Sequence, residues 1–190
     1  MFGTLIEDVI ASYRAPRATV RKVIDRIDGW RDVAMLFGLA FCLSTGIAVL
    51  LSLMAGEGGA GLGFVVSNLL FSAVAYLVAV VLIHRVGALF GGTGAMIEIG
   101  AAVAWHSLVT VIFAPLVAAA TVPELAGGAA GFLALAQLAM VAVVVWLLAN
   151  FIAEAHGFKS ALRVAGGLFA GIFMLGLVLS LLLPSLISAT

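Results

Sequence analysis

The sequence predicts an all-α fold: a polytopic membrane bundle of five transmembrane helices preceded by N-terminal amphipathic surface helices. Three observations carry that prediction. First, 65% of the 190 residues are hydrophobic and the mean hydropathy is +1.31. A soluble domain sits nearer half apolar, so this much apolar surface needs lipid as its solvent. Second, five apolar runs, 33–54, 64–90, 95–121, 131–154 and 163–187, are each near or above the ~20 residues that cross a ~30 Å hydrocarbon core. Third, all nine Lys and Arg fall on one side of a five-span path, as topology set by basic residues requires.

The first 31 residues read as helices lying on a membrane surface. Phe2, Leu5, Ile6, Val9, Ile10 and Tyr13 follow the i, i+3, i+4, i+7 rule and make one apolar stripe. Thr4 and Glu7 have capping-box spacing, which predicts a helix start at Thr4. Pro16 breaks that helix and is suited to open the next. Val20, Val23, Ile24 and Ile27 form a second stripe, with Arg21, Lys22, Asp25, Arg26 and Asp28 facing away. Such helices suit the cytoplasmic headgroup layer or a partner protein. Acidic residues nearly balance the basic ones here, so composition alone does not give strong attraction to anionic lipid. Trp30 stands where an interfacial anchor is expected. The chain therefore divides into a cytoplasmic segment, 1–31, and a membrane domain, 32–190.

Lipid offers no partner for backbone N–H and C=O groups, so the spans must be helices or a closed barrel. A barrel needs alternating ~10-residue strands, and runs such as MVAVVVWLLANFIAEA do not alternate. The first run begins near residue 33 and exceeds the ~7–15 residues of a signal-peptide core, so no secretory signal peptide is expected. The lone Cys42 lies inside the first span and reads as a small hydrophobe. Six basic residues precede the first span, Arg85 follows the second, and Lys159 and Arg163 follow the fourth. The loops at 56–62 and 121–128 and the tail PSLISAT have none. The expected placement is a multi-pass protein of a bacterial inner membrane, N-terminus cytoplasmic and C-terminus periplasmic.

The stretch HRVGALFGGTGAMIEIGAAVAWH, residues 84–106, concentrates the unusual residues. Its GGTG, Gly91 to Gly94, resembles a phosphate cradle, but such cradles follow a strand and precede Lys-Ser/Thr. Here a span precedes and AMIE follows, so a tight cytoplasmic turn is expected. Gly87 with Gly91, and Gly167 with Gly171, have the GxxxG spacing of close helix packing. Arg85, Glu98, Asn150, Glu154, His156 and Lys159 all fall at the cytoplasmic ends of spans and are expected to form an interfacial polar collar. His106 lies eight residues beyond Glu98, roughly 12 Å deeper at 1.5 Å per residue. It reads as a buried polar group hydrogen-bonded to another span, or as a proton-relay step. Pro115 should kink the third span. Three histidines and one cysteine give no metal-ligand cluster, and HExxH, GxSxG and Walker motifs are absent from the sequence. No catalytic, cofactor or metal residue is assigned.

Three pieces stand out together: the N-terminal YRAPRATVRKVI, the turn LFGGTG leading to AVAWHSLVTVIFAP, and the AEAHGFKSALRV turn before the last span. In these the chain resembles the Yip-domain family of Ypt/Rab-interacting-protein-like membrane proteins, in its bacterial form. The resemblance covers nearly the whole chain. It implies an integral membrane protein without known enzymatic chemistry, since eukaryotic members act as adaptors in vesicle traffic that bind small GTPases and one another. It also implies that the family's glycine turn corresponds to Gly91, Gly92 and Gly94 and its third-span proline to Pro115. A bacterium has no such traffic, so what carries over is an adaptor, organiser or accessory subunit. Its partners would be the bilayer and a membrane protein or further copies of itself, not nucleic acid.

Two other functions compete. A small transporter or proton-coupled channel would use Glu98, His106, Asn150 and Glu154, but the far halves of the spans offer only Ser67, Asn68, Gln137 and scattered hydroxyls as a route. A lipid-handling enzyme would need Ser107 beside His106 as nucleophile and base. Neighbours at i, i+1 point about 100° apart and are poorly placed for that.

Overall fold

The computed structural model of the chain describes residues 2–54, 61–121, 130–171, 173 and 180, and among these it is helical apart from short turns. The helices are α1 (Phe2–Arg14), α2 (Pro16–Ile24), α3 (Trp30–Met54), α4 (Leu62–Leu89), α5 (Met96–Thr110), α6 (Ala114–Thr121), α7 (Ala130–Ala155) and α8 (Ala161–Gly171). Among the described residues four stretches are long and apolar enough to cross a membrane: Trp30–Leu51, Leu62–Leu89, Met96–Val117 and Gly131–Ala155. They match the first four expected spans with small offsets at the ends, the largest being 117 against 121. The fifth expected span, 163–187, lies largely outside the described residues, and its described beginning is α8.

The centre of the bundle is α5. Half of its spanning window is buried, against 6–11% for the other three. Its sequence explains this, because Gly100, Ala101, Ala102 and Ala104 let neighbouring helices come close where larger side chains would hold them off. Ile99, Ala101, Ala102, Ala104 and Val109 have no exposed surface, and Trp105 has 1%. α3, α4 and α7 surround α5 and turn large apolar side chains outward, among them Leu50, Phe71, Leu82 and Leu138. In a soluble protein these would be a fault; on spans they are the lipid face.

Pro115 shapes the far end of this central span. A proline lacks the N–H for the carbonyl four residues back, and its ring clashes with that carbonyl. The α-helix accordingly stops at Thr110, a 3-10 turn covers Val111–Phe113, and α6 resumes at Ala114. Thr110 Oγ1 donates to the carbonyls of His106 and Ser107 just before the break, the back-bonding that bends helices.

α1 and α2 fold back on each other at Ala15, where φ is −139°, and Pro16 occupies the first turn of α2. α1 starts at Phe2, a little earlier than the Thr4–Glu7 spacing indicates. Asp8 on α1 meets Lys22 of α2 at 2.6 Å and Arg26, in the turn just after α2, at 2.8 Å, so the two helices run antiparallel. The α1 stripe divides: Leu5, Val9 and Tyr13 pack on the core, while Ile6 is 62% and Ile10 50% exposed. The inner arc is completed by Asp8 and Ser12, both buried. On α2, Val20, Val23 and Ile24 are buried in the same core as α5.

Candidate functional site

The residues with chemistry gather where α4 and α7 end and α5 begins, and two separate devices hold that end together.

The first is a three-charge clamp. Arg21 Nε lies 3.1 Å from Glu154 Oε1, Arg21 Nη2 donates to the Glu154 carbonyl at 2.8 Å, and Nη1 lies 3.5 Å from Glu98 Oε1. The sequence periodicity puts Arg21 on the outward face of α2. The structure turns its guanidinium back under the helix, because α2 lies across α7 with Val20 and Val23 buried, and a long stem can reach sideways from that face. Glu98 has a second role: its Oε2 accepts the Ala95 N–H at 2.8 Å at the start of α5, the reach-back of an N-terminal cap. A carboxylate there also suits the positive end of the helix dipole. One arginine thus ties α2 to both α5 and α7.

The second device joins two turns. α4 and α7 end in the same way. Gly92 N donates to the Gly87 carbonyl and Gly91 N to that of Ala88; Phe158 N donates to the Ala153 carbonyl and Gly157 N to that of Glu154. Each is a Schellman motif, and each has glycine at the left-handed position, Gly91 at φ 84° and Gly157 at φ 73°. The turns dock on each other: Thr93 N donates to the His156 carbonyl at 3.1 Å. The His156 ring, 2% exposed, fills the space beside Gly87 and Gly92. A Cβ on Gly92 would meet His156 Nδ1 at 2.5 Å, a Cβ on Gly87 would overlap the ring, and one on Gly94 would overlap the Ala155 carbonyl.

The proton on His156 can be placed. Its Nε2 lies 3.2 Å from the Ile83 carbonyl, which can only accept, so Nε2 carries the hydrogen and Nδ1 is a bare acceptor. That Nδ1 is buried without a partner among the described residues. Burial pushes the imidazole pKa below the usual histidine value, outweighing the upward effects of the Ile83 bond and of Glu98. The ring of His84 runs nearly parallel, 13° away in plane and 6.4 Å between centroids.

The remaining candidates are placed as follows. Asn150 donates to the Trp146 carbonyl of its own helix. Arg85 and Lys159 are exposed and form no ion pair among the described residues. His106 Nε2 bonds the Val144 carbonyl at 3.0 Å, with Phe151 against its ring edge. Ser107 Oγ donates to Val103 O, away from the His106 ring. Gly167 and Gly171 face open space among the described residues. A groove of about 380 Å³ between α3, α4 and α5 is lined by Phe37, Phe41, Phe71, Tyr76 and Ser107 among others, and neither Glu98 nor His106 reaches it.

Sequence reasoning missed Arg21 as the partner of both glutamates, and Asp8 as a buried ion-pair centre. The signal for Asp8 was available: it falls on the inner arc of α1, between Leu5 and Val9, where a carboxylate must find cations. For Arg21 only helix order in space decides, which periodicity does not contain.

These contacts unite the three stretches that carry the resemblance: the N-terminal segment supplies Arg21, the LFGGTG turn supplies Gly92 beside the His156 ring and Gly94 beside the Ala155 carbonyl, and AEAHGF supplies Glu154 and His156. The model of the Yip1 domain matches residues 10–182. No curated protein and no solved structure matches the chain. The matched stretch takes in most of the N-terminal hairpin and all four long apolar helices, and the chain belongs to the Yip1 domain family.

Proposed function

We propose that the protein is a non-enzymatic adaptor, organiser or accessory subunit of a membrane complex. In this reading it crosses a bacterial inner membrane five times, the fifth crossing being 163–187, with its N-terminus cytoplasmic. The observation that carries the adaptor reading is the Arg21 clamp. It fixes a helical hairpin, with exposed Glu7 and Arg14 on α1 and Asp25 and Asp28 just after α2, on the end of an apolar bundle. A polar, preorganised surface loses little freedom when a partner docks, which is what a platform needs. Support for the placement comes from the nine basic residues, none of which lies in the loops assigned to the far side.

The test is purification of a tagged protein from its native membrane in mild detergent, followed by mass spectrometry of what accompanies it. A membrane protein or a second copy at near-equal amounts is the expected result, and Arg21→Gln should reduce its recovery. A lone monomer with no companion, both before and after chemical cross-linking in the membrane, would refute the adaptor reading. Flux through proteoliposomes that is abolished by Glu98→Gln and His106→Ala would replace it with transport.

A further inference from the structure

In the sequence the N-terminal charges nearly cancel, but in the fold they separate. Asp8 is taken up by Lys22 and Arg26, and Glu98 and Glu154 by Arg21. Glu7, Asp25 and Asp28 stand towards the open end of the antiparallel hairpin, away from its turn at Ala15. The turn end is left with Arg14 and Arg17. It sits directly on the α7–α8 turn, because Arg17 Nη2 donates to the Phe158 carbonyl at 3.0 Å and the Lys159 carbonyl at 3.4 Å. That second turn brings Lys159 and, on the first turn of α8, Arg163. Three cations from two separate parts of the chain, Arg17, Lys159 and Arg163, thus meet at one turn, and none of them pairs with a carboxylate among the described residues.

The surroundings are apolar in a particular way. α7 is a spanning helix that ends at Ala155, so the turn after it stands at the boundary of the hydrocarbon layer. α8 runs on from the same turn with Leu162 82% and Phe169 55% exposed. The corner therefore offers cations above and bare apolar surface beside them. Arg17 is already held in place by two carbonyls, so its free N–H groups are presented without further ordering.

We propose that the corner formed by Arg17, Lys159 and Arg163 binds the phosphate headgroup of an anionic phospholipid, with the acyl chains lying along α8. Charge complementarity selects the headgroup, and the neighbouring Leu162 and Phe169 select a lipid over a soluble anion. Basic recesses between spanning helices on the cytoplasmic side are suited to such headgroups, and a Lys or Arg near the surface strengthens the attraction by a modest, additive amount. Lipid binding at the corner stands independently of the adaptor reading.

The experiment compares the whole protein with Lys159→Gln/Arg163→Gln, whose altered side chains make no ion pair among the described residues, so the fold is kept. The control is Arg31→Gln/Arg85→Gln, which removes the same charge from exposed cations elsewhere. Each is titrated in nonionic detergent with short-chain phosphatidylglycerol and with short-chain phosphatidylcholine, and binding is read by native mass spectrometry. The expected result is preferential retention of phosphatidylglycerol by the protein and by the control. The Lys159→Gln/Arg163→Gln form should lose about fivefold in affinity per cation removed, roughly 25-fold together. The conservative Lys159→Arg/Arg163→Lys should restore it. Equal retention of the two lipids by the unaltered protein overturns the proposal, and so does an equal loss in the control, which would mean diffuse charge. Displacement of the lipid by millimolar inorganic phosphate would also overturn it, by assigning the corner to a free anion.

Discussion

Gly87→Ala tests whether the docked turns hold the bundle end, because the sign of its effect depends on His156. In an ordinary helix interior, replacing glycine by alanine stabilises by about 0.8–1 kcal/mol. Gly87 is the last buried residue of α4, and a Cβ there overlaps the His156 ring, with Cδ2 at 2.7 Å and two further ring atoms closer still. The ring cannot retreat, since Gly92 closes its other edge and Nε2 is held by Ile83. Relief means expelling it. Overpacking costs about 1–3 kcal/mol, and the lost Ile83 bond about 0.5–1.5 kcal/mol. Subtracting the propensity gain leaves a net loss of about 0.5–3.7 kcal/mol. For a chain of this size that lowers Tm by roughly 1–15 °C. Thermal unfolding in mild detergent, followed by tryptophan fluorescence, measures it. Gly167→Ala, which meets nothing within 4 Å, serves as the control and should be neutral or stabilising. In a His156→Ala background the Gly87→Ala loss should shrink by at least ~1 kcal/mol, because the ring it strikes is gone. An equal loss in both backgrounds, or a stabilising Gly87→Ala, would refute the lock.

Three further outcomes follow from the same geometry. Arg21→Gln removes a guanidinium that is 37% exposed and shared between two carboxylates; partial exposure keeps each pair weak, so a loss of about 1–2 kcal/mol is expected, with faster proteolysis between α2 and α3 as the direct readout. Ser12→Ala leaves the Trp105 indole N–H, bonded to Ser12 Oγ at 3.0 Å, buried and unpaired; it should cost about 1–3 kcal/mol and shift tryptophan emission, whereas Ser12→Cys should cost less. His156 should give stability a pH slope: its folded pKa is pushed below the usual 6.5 by burial, so stability is full above pH 6.5 and falls with pH below it, as the unfolded chain takes up the proton first. In His156→Asn that slope, measured by Tm between pH 7 and pH 5, should flatten; a slope unchanged by the substitution would place its origin elsewhere.

What the sequence made legible follows from what repeats along it. The first four apolar runs are long, and their lengths answer to one physical quantity, the thickness of the hydrocarbon layer; hence Trp30–Leu51, Leu62–Leu89, Met96–Val117 and Gly131–Ala155 emerge with small errors at the ends. The break after α5 was equally legible, because Pro115 carries its own steric reason. The GGTG turn was legible too, since Gly91 takes the left-handed conformation that glycine permits. The partners of the charged groups were not legible in this way. Glu98 and Glu154 could be placed at one depth from the spans, but that Arg21 reaches them depends on how α2 crosses α7, which no periodicity records. His156 looked like one more member of a polar collar. Its burial against Gly87 and Gly92 needs the turns at Gly91 and Gly157 to meet, and glycine spacing alone does not say what fills the space.

Many of the polar bonds between helices converge on α5. Lipid is as apolar as leucine, so burying Leu against Leu does little to join spans, and close packing of small residues and interhelical hydrogen bonds must do it. Around α5 nearly every neighbour contributes one such tie. α4 donates Tyr76 Oη to the Gly100 carbonyl, α1 donates Tyr13 Oη to the Val109 carbonyl and receives the Trp105 indole N–H, α2 reaches Glu98 through Arg21, and α7 accepts the His106 imidazole at the Val144 carbonyl. His106 is one of this set, at the depth of the α5–α7 contact. α3 differs. It packs closely on its neighbours, with the Trp30 ring over Gly100 of α5 and Phe37 against Tyr76 of α4, ring centroids 4.5 Å apart, but among the described residues no side-chain hydrogen bond joins it to α5. A helix held by shape alone can slide or part at lower cost than one held by a buried polar bond, whose rupture leaves groups unpaired in lipid. If the bundle rearranges when a partner binds, α3 can move against α5 without breaking a side-chain hydrogen bond among the described residues, and spin labels on Cys42 and at α5 should separate there before any pair across α5 and α7 does.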